Sequence, residues 1–178
     1  MTFGTCVSAV LAIGMLSAAP LAQSGNPISD GIRSQWNSAK RNLQQSSEIM
    51  PESSYDYRPV DGVRNFGEIL AHVAGANYVF CAAAKGEKPP FAEDHFEKAA
   101  KTRVAIMKAT SDAIAYCDGA FTALTDASAA QLVQQPFGEG QTSRAAVLVG
   151  ELGHVNEHYG NLVTYFRING IVPPSSRR

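Results

Sequence analysis

Apolar residues recur along most of the chain at intervals of three and four, the spacing that gathers them on one face of an α-helix. From Ile28 the series Ile32, Trp36, Ala39, Leu43 and Met50, with Ser46 completing the stripe, predicts a first helix. Pro51 ends it, because the residue before a proline is driven out of helical geometry. A polar connector over residues 52–63 follows. Asn65 then offers a cap and Glu68, three residues on, completes a capping box for a second helix. Its stripe is Phe66, Ile69, Leu70, Val73 and Phe80, and the Gly86 to Pro90 segment breaks it. Asp94 and Glu97 repeat the capping spacing, so Phe96, Ala100, Met107, Ile114, Cys117, Phe121 and Leu124 predict a third, long helix. Pro136, Gly138 and Gly140 mark a loop, after which Thr142 or Ser143 caps a fourth helix. That helix carries Val147, Leu148, Leu152, Val155, Leu162 and Phe166, and Asn169-Gly170 supplies a left-handed stop. No segment alternates with a period of two between turns. The prediction is an all-α four-helix bundle over residues 28–174, followed by a frayed, disordered tail at 175–178.

The start of the chain has a different pattern. Val7 to Leu16 is a short apolar run, and small residues follow in Ser17-Ala18-Ala19-Pro20-Leu21-Ala22. This is the layout of a secretory signal peptide, residues 1–22, cleaved after Ala22 or after Ser24. The run is short for a membrane span. The signal is atypical in having no Lys or Arg ahead of the run. The expected location is therefore outside the cytoplasm, periplasmic or extracellular, with no stable membrane span once the signal is removed.

Composition supports this division. Charged residues make up 17% of the 178, which is low, but none precedes Asp30. From Asp30 onward the charged share returns to roughly a fifth, near the quarter or so usual for soluble domains. Fifteen Lys and Arg against sixteen Asp and Glu leave a net charge of -1 and no electrostatic footprint for nucleic acid. Export would bring Cys81 and Cys117 into an oxidising compartment. With one cysteine just before the loop between the second and third helices and the other far beyond it, antiparallel packing would separate them by tens of Å. A bridge needs Cα atoms within about 7 Å. The expectation is two small buried hydrophobes.

Candidate chemistry lies in the histidines. His154 and His158 are four residues apart on the fourth helix and share a face, a common way to offer two imidazoles to one metal ion. His72 sits in the middle of the second helix, at the edge of its apolar stripe. If those helices are neighbours, three neutral nitrogen donors converge and leave a position open, the pattern of a catalytic site. Glu151, one turn before His154, falls inside the apolar stripe, where a carboxylate must be paired, protonated or on a metal. It is the candidate to orient a metal ligand from behind or to act as a base. Asn77, Tyr78 and Tyr159 lie within a turn or so of the ligands, whereas His95, beside Asp94 and Glu97, reads as solvated.

The segment Glu68-Ile69-Leu70-Ala71-His72-Val73 resembles the second-helix signature of the DinB/YfiT-like superfamily. The stretch from Gly153 to Leu162, with Arg167, Gly170 and Pro173-Pro174, is similar to that family's closing motif: His, three residues, His, then an Arg and a Gly-x-x-Pro-Pro tail. The resemblance implies a bundle of that topology, with His72, His154 and His158 ligating a divalent ion, zinc or nickel first, iron or manganese next. It also implies a homodimer in many members and, in some, thiol transfer using low-molecular-weight thiols. The better-characterised members are cytosolic, unlike the exported protein expected here. The leading expectation is a metal-dependent hydrolase or thiol-transferase-like enzyme acting on a small molecule. The alternative is a non-catalytic helical binding or dimerisation module stabilised by metal.

Overall fold

The computed structural model describes Met1 and residues 25–177; the expected signal segment, Met1 apart, lies outside these residues. Four long helices dominate: α1 (Pro27–Ile49), α2 (Phe66–Lys85), α4 (Arg103–Ala123) and α6 (Arg144–Ile168). Two short ones, α3 (His95–Ala99) and α5 (Asp126–Ala129), lie in the connections. The caps expected for α2 and α6 are in place. Asn65 and Glu68 form the capping box of α2, Ser143 accepts from the Ala146 N–H at the start of α6, and Gly170 takes φ 71° just past its end.

The bundle is ordered as a ring α1–α4–α2–α6, with α1 and α2 across the diagonal. Hydrogen bonds fix the directions. Trp36 Nε1 of α1 donates to Asp118 of α4, and the Arg103 side chain at the start of α4 reaches the Glu48 carbonyl at the end of α1, so these helices are antiparallel. Tyr165 near the end of α6 donates to the carbonyl of Arg64, just ahead of α2, so α2 and α6 are antiparallel too. By contrast, α2 and α4 run parallel. Gly67 packs against Ile106 near one end, and Lys85 Nζ donates to the Tyr116 carbonyl near the other. A parallel pair requires the chain to travel back along the whole of α2, about 30 Å for twenty residues. The segment 86–102, with α3 inside it, makes that return.

This path corrects two expectations. The third helix does not begin at Asp94: the chain leaves helical geometry at Ala100 (φ -94°, ψ 98°), and α4 starts after Thr102, whose hydroxyl accepts from the Ala105 N–H. Asp94 makes no capping bond. Moreover, Cys81 and Cys117 form a disulfide with Cα atoms 5.3 Å apart. The large separation expected from antiparallel packing disappears because the helices are parallel and reach the same level together. A third difference is a small hairpin, β1 (Leu132–Gln134) paired antiparallel with β2 (Gln141–Ser143), in the stretch read as loop. Three-residue strands are too short to show alternation. The tail, expected to fray, carries a 3-10 turn at Pro174–Ser176; Pro174 is buried and the Ser175 N–H donates to Tyr159 Oη.

The core is shared by all four long helices, with Trp36 stacked on Phe121 (centroids 4.4 Å apart) and Phe66 edge-on to Phe166. Helix α2 is buried on nearly every face, as expected of a segment apolar all round. Among the described residues, no helix is long and apolar enough to cross a membrane.

Candidate metal centre

The antiparallel pairing of α2 and α6 brings His72 opposite His154 and His158. One donor nitrogen from each ring lies within 4.8 Å of the other two. His72 Nε2 and His154 Nε2 are 3.2 Å apart, and the His158 ring stands edge-on to both others. All three histidines expected at the site therefore meet there.

Their electrostatics keep lone pairs available. Burial, and then the neighbouring His158 and His72, push the His154 imidazole down to about 3. Burial also lowers His158, followed by His72. Both rings are thus neutral at pH 7, the form that binds metal. The Nδ1 atoms of His154 and His158 are buried with no hydrogen-bond partner. Converging neutral imidazoles with orphaned ring nitrogens fit a divalent transition ion, for which imidazole is a favoured donor.

Sequence reasoning missed the carboxylate behind His72. Glu97, read as a capping residue, lies 2.9 Å from His72 Nδ1. With Nδ1–H donated to that carboxylate, Nε2 is left unprotonated toward the cluster, the arrangement of a carboxylate–histidine–metal triad. Arg64 holds Glu97 in turn through Nε (2.8 Å) and a second guanidinium nitrogen (3.3 Å). Partial burial pushes the Glu97 carboxyl up, but Arg64 and His72 outweigh it and the group titrates below its usual range. No spacing in the sequence links residues 64, 72 and 97, because the returning connector creates the contact.

Glu151 is placed differently from the imidazoles. It is fully buried, and its Oε1 accepts from the Asn77 carboxamide, which also donates to the Val73 carbonyl at 2.9 Å. Its Oε2 has no partner. Burial raises its carboxyl well above the usual range, favouring the neutral acid. Of the other residues near the ligands in sequence, Tyr78 packs among Phe91, Phe96 and Tyr116, and Tyr159 anchors the tail. His95 stacks on Phe91 and is half-buried, not solvated.

A cavity of about 750 Å³ opens beside the cluster, with His158 in its wall together with Arg58, Arg64, Asn161, Thr164 and Tyr165. One of the three histidines therefore borders space that a small molecule can enter.

Solved structures share this architecture at low identity. A DinB-like protein from Bacillus cereus is 16% identical, with 82% of this chain and 95% of that one covered and a TM-score of 0.64. YfiT from Bacillus subtilis, described as a probable metal-dependent hydrolase with an unusual four-helix bundle topology, is 15% identical, with coverages of 86% and 94% and a TM-score of 0.63. The mycothiol-dependent maleylpyruvate isomerase is 14% identical with a TM-score of 0.61; the match covers 75% of this chain and 60% of the isomerase. No curated protein matches the sequence. The profile of the DinB superfamily matches residues 35–162, which span most of α1 through most of α6, and the chain belongs to that superfamily.

Proposed function

We propose that the protein is a metal-dependent hydrolase of a small molecule that works outside the cytoplasm. The observation that carries this reading is the convergence of three imidazoles, two of them held neutral, beside an enterable cavity. His72, His154 and His158 hold the ion. Glu97, braced by Arg64, keeps the His72 ring turned so that Nε2 faces the cluster. Asn161, Thr164 and the guanidinium groups of Arg58 and Arg64 offer polar contacts to a substrate in the cavity. A divalent ion at this position supplies Lewis-acid polarisation and lowers the pKa of water from about 15.7 toward about 7.

Two observations favour hydrolysis over thiol transfer. The Cys81–Cys117 disulfide suits an oxidising compartment, as does the apolar N-terminal segment with its small-residue end. Low-molecular-weight thiols are mainly cytosolic.

Metal analysis of the purified protein tests the site. About one ion per chain is expected in the wild type, with loss of that ion in His154→Ala and His158→Ala; unchanged stoichiometry in both variants overturns the reading. A panel of esters and lactones tests the reaction, with turnover expected to vanish on chelation and return with metal. A large fall in Tm on chelation without any turnover would point instead to a structural ion.

A further inference from the structure

Two carboxylates and two guanidinium groups stand in the wall of the cavity beside the histidines, and their mutual hydrogen bonds leave donors in surplus. Both oxygens of Glu68 accept from Arg58, and one also takes the Asn65 N–H. Both oxygens of Glu97 accept from Arg64, and one also takes His72 Nδ1. All four carboxylate oxygens are therefore engaged. Arg58 spends both of its Nη nitrogens, on Glu68 and on the Val63 carbonyl. Arg64 is different. It meets Glu97 through Nε and Nη2, the side-on edge of its fork, and among the described residues nothing accepts from Nη1. A guanidinium carries five N–H donors in one plane, so Arg64 keeps its end-on edge, Nη1 with the second hydrogen of Nη2.

That edge is held in place. Tyr165 Oη donates to the Arg64 carbonyl at 2.6 Å, and Glu97 grips the head of the side chain at 2.8 Å. Glu97 in turn lies 2.9 Å from His72 Nδ1, so one carboxylate and one imidazole ring separate the guanidinium from the donor cluster. Two-fifths of the side chain is exposed, which leaves a ligand room to reach it. Paired N–H groups match the two oxygens of a carboxylate. Neutral imidazoles also leave a bound ion its full double charge, and with it a cavity that draws anions.

We propose that the substrate carries a carboxylate apart from the bond that is cut, and that the end-on edge of Arg64 receives it. The protein then selects carboxylate-bearing esters or lactones over neutral ones. This rests on the metal-dependent hydrolase reading and names its substrate class.

The test is calorimetric binding to the zinc-loaded full chain, with succinate, glutarate and adipate each set against its own monoamide. Acid and monoamide share one carboxylate for the ion and differ in charge at the far end. At least one acid is expected to bind about tenfold tighter than its monoamide, the scale of a charge-assisted pair. Arg64→Lys keeps the charge but removes the fork, and should shrink that ratio to about threefold or less. Ratios within about twofold for all three acids in the wild type overturn the proposal, as does a ratio unchanged by Arg64→Lys. If Arg64→Lys releases zinc, Arg58→Gln decides: a preference that persists there belongs to Arg64, and its loss moves it to Arg58 and overturns the proposal. A wild-type chain that holds no zinc fails the three-histidine reading itself, so the two failures are distinguishable.

Discussion

Among the described residues, Glu151 is the only charged-type side chain with no solvent exposure, and its environment gives the fold a pH signature. An unfolded glutamate ionises near 4.3. Burial raises the folded value, so the stability contributed by the neutral acid is complete below the unfolded value and is lost as the pH climbs through the folded one. Glu151→Gln keeps the shape and an acceptor for Asn77 but cannot ionise. As the pH rises above about 4.3 the Tm of the wild type should therefore fall relative to that of the variant. Parallel Tm–pH curves would show that Glu151 has no raised folded value. At this scale the sequence revealed what periodicity can carry. The His154–His158 pair and the apolar position of Glu151 follow from helical spacing alone. Glu97 and Arg64 could not be found in that way, because neither lies on a long helix: the returning segment 86–102 carries Glu97 to His72, and Arg64 stands just ahead of α2.

At the scale of elements, helix ends were the most legible feature. Asn65 with Glu68, Ser143 and Gly170 each act locally, within a few residues, so sequence suffices to place them. Helix direction is not local. Residues 94–124 read as one helix because Phe96 and Ala100 extend the apolar spacing of α4 backward, while the break at Ala100 and the cap at Thr102 carry only a weak signal. Once that break was missed, the parallel relation of α2 and α4 was hidden, and the disulfide with it. The bridge closes a loop of 36 residues, a constraint on the unfolded chain of about 3–4 kcal/mol. Replacing both cysteines by serine should lower the Tm by roughly 10 °C. Equal Tm values for the variant and for the untreated wild type would exclude the bridge.

Across the whole molecule, the beginning of the bundle is sealed by a contact distant in sequence. Asp126 of α5 accepts from the backbone N–H groups of Ile28 and Ser29 at the start of α1, while Asn26 Oδ1 accepts from the Asp126 N–H. Asn26, the first residue in these contacts, lies past both expected cleavage points, so all three hydrogen bonds belong to the expected mature chain. Mass spectrometry of protein from the periplasmic fraction should find the mature chain starting at Gln23 or Gly25. Recovery of only the uncleaved chain from the cytoplasm would sink the export proposal. The two halves of the candidate metal centre, His72 and His154, are 82 residues apart. No fragment ending before α6 contains the centre, so the ion can be captured only once the last long helix has docked. For a chain exported unfolded, that step comes after translocation. The ion would then be selected by the chemistry of the outer compartment, and the metal found in protein forced to fold in the cytoplasm need not be the native one.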